Sequence, residues 1–279
     1  MTTEHAGDSR EFPFAQADFE RVRRLIHRHA GIALSPSKRD MVYSRLVRRL
    51  RARGLSRFDQ YLALLDSGNA AEWQAFTNSL TTNLTSFFRE AHHFPILVEL
   101  AQRARPGRPL KVWCCAASTG EEPYSMAIAI VEAFRSFTPP ASILATDVDT
   151  GVLARAQEGV YALERLQKVS AERVRQFFLR GRGARAGFAR IRPELRALVT
   201  FRQLNLLDEA WPVRGPLGAI FCRNVMIYFD RPTQRRILER FAPLLRPDGL
   251  LFAGHSESLH YAADLFRLRA KTVYERTHR

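Results

Sequence analysis

Two adjacent acids, Glu121 and Glu122, open an apolar helical run directly after Ala116-Ala-Ser-Thr-Gly120. A helix N-terminus carries roughly half a positive charge and ordinarily draws anions. A pyrophosphate arriving here would meet two carboxylates, whereas a cationic or hydroxylated ligand would be welcome. Only Gly120 is present, so the loop is not the G-x-G-x-x-G of dinucleotide sites. Asp147 closes a second short apolar run 27 residues past Gly120, where an acid accepts hydrogen bonds from ribose hydroxyls. A ribose with a positive neighbour and no phosphate describes S-adenosylmethionine better than a nicotinamide dinucleotide. The plainer alternative is that Glu121 and Glu122 only complement the helix dipole and Asp147 only caps the next helix.

These residues need strand ends to hold them. Leu110–Ala116 is strand-like and precedes a turn and an apolar helix from Pro123 to about Phe134. Ser142–Asp147 reads as a second buried strand, followed by a helix near Val152–Glu158. Leu217–Cys222 and Leu250–Ala253 repeat the theme around a helix from Thr233 to Leu245. Strands alternating with helices predict an α/β domain with a doubly wound parallel sheet. Leu265–Ala270 and Thr272–Arg276 read as a closing hairpin. Residues 166–204 break the alternation with a helix (Ala171–Leu179), a Gly-rich turn and short strands near Phe188–Ile191 and Val199–Leu204, which predicts a small antiparallel β insert.

Upstream the pattern is helical. Phe19, Val22, Leu25 and Ile26 share a face, and Gly31 stands where a C-cap is wanted. Met41, Val42, Leu46 and Leu50 face inward on a second helix, about Ser37 to Arg53. Ser56-x-x-Asp59 predicts a capped third helix, and Trp73, Phe76 and Leu80 a fourth. The expected organisation is a flexible tail (1–14), an all-helical basic domain (15–90) and an α/β domain (91–279).

The formal charge is +15, and residues 21–57 hold twelve Arg or Lys against one acid, Asp40. Arg45, Arg48, Arg49 and Arg51 cover less than half the circumference of the second helix. With 25% charged and 10% aromatic residues, the chain is not disordered. No apolar run nears the roughly 20 residues of a membrane span, and MTTEHAGDSREF is not a signal peptide. Cys114, Cys115 and Cys222 make no C-x-x-C pair, and His92, His93 and His255 show no ligand spacing with a cysteine or another histidine. Hence no disulfide framework and no metal are expected. The expected localisation is cytoplasmic.

Six stretches, in order over nearly the whole chain, resemble the chemotaxis receptor methyltransferases, the CheR family. They are Thr81-Thr-Asn-Leu-Thr-Ser-Phe-Phe-Arg-Glu90, Ala117-Ser-Thr-Gly-Glu-Glu-Pro-Tyr-Ser125, Ala145-Thr-Asp-Val-Asp149, Leu204-Asn-Leu-Leu207, Phe221-Cys-Arg-Asn-Val-Met-Ile-Tyr-Phe229 and Gly254-His-Ser-Glu257. The resemblance implies methylation of chemoreceptor glutamates from S-adenosyl-L-methionine, leaving S-adenosyl-L-homocysteine, with recruitment to membrane-bound receptor clusters and no membrane insertion. It implies that Asn83, Thr85 and Arg89 reach the cofactor from the interdomain linker. Arg89 would meet the methionyl carboxylate and Glu122 the methionyl end. Asp147 would hold the ribose, Asn205 and Leu206 would flank the adenine, and Asn224 and Val225 would line the pocket near the sulfur. Read without the family, Asn83 and Thr85 are equally helix C-caps and Asn224 a turn residue. Cys114 and Cys115 stand where small residues are common in the family.

Arg89 and Tyr228 are the expected catalytic residues, orienting carboxylate and cofactor; Tyr228 as a plain core aromatic is the rival reading. A basic face of Arg45, Arg48, Arg49 and Arg51 would steer glutamate-rich receptor helices toward the site, against the alternative of an ordinary solvated surface. The insert resembles the family's β-subdomain, which in some members tethers a receptor C-terminal peptide. A nucleic-acid methyltransferase would suit the charge, but the loop after Cys222 reads Arg-Asn-Val-Met and lacks an Asn-Pro-Pro-Tyr or Asp-Pro-Pro-Tyr signature. A scaffold without activity need not keep Glu122, Asp147, Asn205 and Asn224 together.

Overall fold

A computed structural model describes residues 10–105 and 107–277, which divide into two compact units on either side of the Thr82–Asn83 boundary. The first unit holds α1 (Gln16–Ala30), α2 (Arg39–Arg53), α3 (Phe58–Asp66) and α4 (Ala70–Leu80). Phe19, Val22, Leu25 and Ile26 of α1 are buried with Val42, Leu46 and Leu50 of α2 and with Phe76 and Leu80 of α4 in one core. Gly31 ends α1 at φ 72°, a left-handed conformation in which glycine carries no Cβ penalty. Ser56 does not cap α3: the residue before the helix is Arg57, with no side-chain cap, and Arg57 instead pairs with Asp59. Asn69 caps α4 by accepting the Glu72 N–H at 3.0 Å.

Residues 1–9 of the expected flexible tail lie outside the described residues, but the rest of it is packed. Phe14 is buried in the first unit's core and Arg10 pairs with Asp40 at 2.7 Å. The helical unit also stops earlier than expected, at Thr82 rather than residue 90. The reason is packing: Phe87 belongs to the core of the second unit, and Phe88 N–H donates to Ser125 Oγ at 2.9 Å.

In the second unit, α5 (His93–Gln102) precedes β1 (Leu110–Cys114), α6 (Glu121–Phe134), β2 (Ala141–Asp147), α7 (Thr150–Glu158), β3 (Val160–Ala162), α8 (Ala171–Phe177), β4 (Phe178–Arg180) and β5 (Phe188–Ile191). Then come α9 (Pro193–Arg196), β6 (Val199–Gln203), β7 (Leu217–Cys222), α10 (Arg231–Phe241), β8 (Leu245–Ala253), β9 (Phe266–Ala270) and β10 (Val273–Arg276). Seven strands pair in the order β6-β2-β1-β7-β8-β10-β9. The first five are mutually parallel, and the β9–β10 hairpin closes the edge antiparallel to β8.

Burial explains the sequence texture. Val112 and Cys114 of β1 enter a core with α5 and α6, while Trp113 and Cys115 enter another with α10. Both faces are covered, so β7 reads as an unbroken apolar run with every residue buried. Trp113 is fully buried, and its indole N–H donates to Thr146 Oγ1 at 2.9 Å, leaving no polar atom unpaired.

The insert differs from expectation at both ends. Its antiparallel sheet is β3-β5-β4 and begins at Val160. Val199–Gln203 is not part of it, because this strand pairs in parallel with β2, from Ile143↔Val199 to Asp147↔Gln203. The strand ending at Ala253 also starts five residues earlier than its apolar run, at Leu245 rather than Leu250.

Candidate active site

The order of strands places β2 and β7 on opposite sides of β1, so the chain reverses direction across the sheet there. Ligands in open α/β sheets bind beyond the strand ends at such a point. After β1, Cys115 N–H donates to Phe221 O and Ala117 N–H to Thr146 O, both at 2.9 Å, so the loop climbs between β2 and β7. Gly120 then turns into α6 at φ 95°, where a Cβ would come within 2.8 Å of the Tyr161 hydroxyl and 2.9 Å of Ala156 Cβ. No other residue fits that turn unchanged.

The two acids at α6 have different fates. Glu121 is fully buried, accepts from Thr119 Oγ1 at 2.6 Å and forms an ion pair with Arg165. Its charge is neutralised within the protein, so the expectation of two carboxylates facing a ligand is reduced to one. That one is Glu122. Its Oε2 accepts from Arg223 Nη1 at 2.7 Å, and its Oε1 from the Cys114 thiol at 3.4 Å. Burial raises its pKa, against the pull of Arg223; Glu90 adds to the rise and Arg89 opposes it.

Asp147 sits at the tip of β2. Its Oδ2 accepts the Ser118 N–H at 2.9 Å and its Oδ1 the Asp149 N–H at 3.0 Å. Burial still raises its pKa to about 6 against those amides. Asp147 does not cap α7; Asp149 does, accepting the N–H groups of Gly151 and Val152. Asn83 is tied to the same place, with Nδ2 donating to Asp149 Oδ2 at 2.9 Å and its carbonyl accepting from Ser118 Oγ at 3.2 Å. It is not a helix cap, since α4 ends at Leu80. The Thr85 carbonyl accepts from Arg165 at 3.4 Å, which sets this segment beside the start of α6.

Beyond β7, the sequence reading missed three residues that hold the tip together. Arg223 is only 4% exposed; besides Glu122 it donates to the Arg89 carbonyl at 2.6 Å and lies 3.5 Å from Glu90 Oε2. Glu90 also contacts His255, with Oε1 3.1 Å from its Nδ1, and its pKa falls to about 2; burial opposes that fall, while His255 and Arg223 drive it. Buried Glu257 accepts the N–H groups of Asn224 at 2.9 Å, Gly254 at 2.6 Å and Ile227 at 3.4 Å, joining the tips of β7 and β8. One signal was available. An arginine directly after a fully apolar strand lies close to the buried strand ends, and if it turns inward it needs an acid.

The remaining expected residues cluster at the same strand ends. Asn224 adopts φ 58°, and Val225 O accepts the Tyr228 N–H at 3.1 Å in a short helical turn. Tyr228 is half-buried rather than a core aromatic. Asn205 follows β6, where Leu204 N–H donates to Asp147 O at 3.0 Å, and Asn205 Oδ1 accepts the Leu207 N–H at 3.0 Å. Leu206 is buried. Arg89 Nη1 donates to Leu84 O at 2.9 Å.

Glu90, His92 and His93 bring ligand atoms within 4.8 Å of one another, a cluster the spacing argument did not foresee. Arg223 beside the same carboxylate works against a cation there, and both imidazole Nε2 atoms lie within hydrogen-bond reach of Thr272 Oγ1.

In the first unit, the basic helix is less open than its sequence suggests. Arg49 and Arg53 both grip Glu72, which is 0% exposed. Arg45 donates to the carbonyls of Thr81 at 2.7 Å and Ser79 at 3.4 Å, and Arg51 pairs with Glu11. Arg48 stands exposed.

The family pattern of the CheR methyltransferase SAM-binding domain matches residues 83–274, and that of the CheR all-alpha domain matches residues 17–81. The chain belongs to the CheR methyltransferase family. It is 56% identical over 267 residues to chemotaxis protein methyltransferase 2 of Pseudomonas aeruginosa, covering 95% of each chain. To the chemotaxis protein methyltransferase of Escherichia coli it is 52% identical over 261 residues, covering 93% of this chain and 91% of that one. Among solved structures it is similar to PKMT2 from Rickettsia typhi in complex with AdoHcy, at TM-score 0.36, 15% identity and coverage of 62% and 26%.

The donor set of this CheR methyltransferase fits S-adenosylmethionine. A carboxylate has about four lone-pair directions, so Asp147 keeps acceptor capacity for a diol beyond its amides. Glu122 Oε1 has only a weak thiol donor and suits an ammonium. No helix of the described residues is long and apolar enough to cross a membrane.

Proposed function

We propose that this CheR methyltransferase transfers the methyl group of S-adenosylmethionine to glutamate carboxylates of chemoreceptors, forming methyl esters. The observation that carries the reading is the pairing of Glu122 and Asp147 at the β1 and β2 tips. Both are carboxylates, and no glycine-rich phosphate loop stands between them. S-adenosylmethionine supplies a methyl on a positively charged sulfur. A glutamate has an unperturbed pKa of roughly 4.3 and is already ionised at neutral pH, so no general base is required. Charge disappears in the transfer, so placement in line and exclusion of water supply most of the rate.

The roles follow. Asp147 holds the ribose, Asn205 and Leu206 flank the adenine, and Glu122 and Arg89 take the ammonium and carboxylate of the methionyl end. Asn83 and Thr85 set the linker, Asn224 and Val225 line the wall near the sulfur, and Tyr228 orients the incoming carboxylate. Arg48, with Arg45, Arg49 and Arg51 behind it, favours acidic receptor helices. On the insert, β4 is an edge strand, and Leu179 and Phe188 are exposed large apolar side chains. Backbone groups at such an edge can take up an extended receptor-tail peptide.

The test is labelled-methyl transfer to receptor membranes and, in parallel, to RNA. Base-labile label in the receptor is the expected product. Label in RNA alone, or base-stable label, overturns the reading.

A further inference from the structure

The Arg223 side chain is wholly buried, yet it bridges three separate pieces of the second unit. Its guanidinium holds Glu122 Oε2 at 2.7 Å on α6, the Arg89 carbonyl at 2.6 Å and Glu90 Oε2 at 3.5 Å. Two largely buried carboxylates on one guanidinium disfavour each other's ionisation unless that cation stays between them. We infer that Arg223 is a positioning residue for the cofactor: it keeps Glu122 an anion aimed at the methionyl ammonium and holds the backbone of Arg89 so that its side chain meets the methionyl carboxylate. The inference rests on the reading of Glu122 as the ammonium-binding group.

The electrostatics around Glu122 support this. The groups that bear on it are Arg223 after β7, Cys114 in β1, and Glu90 and Arg89 in the segment before α5. Arg223 and Arg89 favour its anion. Burial and Glu90 disfavour it, and Cys114 offers only a weak thiol donor. Removing the Arg223 cation leaves burial and Glu90 acting on Glu122 with Arg89 as the cation opposing them, which favours the protonated form. A protonated Glu122 cannot pair with an ammonium. Arg223 also fixes chain direction at residue 89, so both ends of the same amino-acid group depend on one side chain that touches neither.

The experiment is calorimetric titration of S-adenosylhomocysteine and of methylthioadenosine, which lacks the amino-acid group, from pH 6 to 8.5. The full-length variants are Arg223→Gln, Arg223→Lys and Glu122→Gln. Arg223→Gln is expected to weaken S-adenosylhomocysteine binding ~10–100-fold at pH 7 and to regain part of it as pH rises. Its methylthioadenosine affinity should change less than ~3-fold. Arg223→Lys, which keeps the charge and serves if the glutamine variant does not fold, should bind with an intermediate loss and the same pH profile as the parent. Equal loss of both ligands in whichever Arg223 variant folds would mean a merely structural arginine and overturn the inference, as would unchanged S-adenosylhomocysteine affinity. Glu122→Gln separates the two readings. If it binds S-adenosylhomocysteine like the parent, the assignment of Glu122 is wrong; if it binds weakly while the Arg223 variants do not, only the role of Arg223 falls.

Discussion

Replacing Asp147 with asparagine should weaken the cofactor strongly while leaving the ligand-free protein nearly as stable as before. The folded protein raises the Asp147 pKa from 3.8 to about 6, chiefly by burial. The sign follows directly. A raised carboxyl pKa means that the fold favours the protonated form, so the ionised side chain at pH 7 costs stability. The gap corresponds to ~3 kcal/mol. Asparagine removes that cost but keeps only one side-chain acceptor for the Ser118 and Asp149 amides, and a lost acceptor at a buried N–H costs about 1–3 kcal/mol. The two effects oppose each other, so the thermal midpoint should move by no more than a few degrees. Binding should not be spared, because two charge-assisted bonds to a diol go together, about 1.5–3 kcal/mol or roughly 10–150-fold. Calorimetry with S-adenosylhomocysteine and a thermal melt on the same samples read both quantities. Parent affinity should also fall below pH 6 as Asp147 takes a proton, while the variant stays flat. Unchanged affinity would remove Asp147 from the site. A destabilisation of ~1–3 kcal/mol, the acceptor loss with nothing to offset it, would show that the burial cost is not real.

His93 is buried among aromatic rings and its pKa is lowered from 6.5 to about 3, first by burial and then by Arg223 and His92. It therefore withdraws stability as pH falls from 6.5 toward 3, at ~1.4 kcal/mol per pH unit. The stability difference between parent and His93→Gln should show that slope over the same window in denaturant titrations, and a flat difference refutes it. Arg49→Ala should destabilise the helical unit by ~1–3 kcal/mol, because buried Glu72 keeps only Arg53. Arg48→Ala should leave stability within ~0.5 kcal/mol and lower receptor methylation at low salt more than at high salt. Equal effects of both arginines on melting would contradict this division. Leu179→Ser with Phe188→Ser should abolish binding of a receptor-tail peptide in an NMR titration without changing cofactor affinity; no binding to the parent protein removes the tether. Gly120→Ala should impair both folding and cofactor affinity, since its Cβ meets Tyr161 and Ala156, and a fully stable, tightly binding variant would refute that packing argument.

Local pattern was enough for most elements. Period-3.6 apolar spacing located α1 with its glycine end, and α2. Mostly apolar runs located β1 and β2, and an unbroken one located β7, where a strand covered on both faces leaves no polar position to interrupt it. The residues at those strand ends were legible for the same reason: in such a sheet, function gathers where the apolar run stops. Pairing was not legible. Val199–Gln203 looks like a strand of the insert by nearness in sequence, but hydrogen bonds to β2 place it in the main sheet, and partner choice depends on long-range packing. Nor could sequence distinguish two adjacent glutamates. Glu121 is neutralised by Arg165, 44 residues away, while Glu122 faces Arg223, 101 residues away. The same holds for the arginines of α2, identical in composition, of which Arg49 serves a buried acid on α4 and Arg48 is left to solvent. A charged residue's type is written in the chain, but whether its charge is spent inside or offered outside is set by which distant group the fold brings against it.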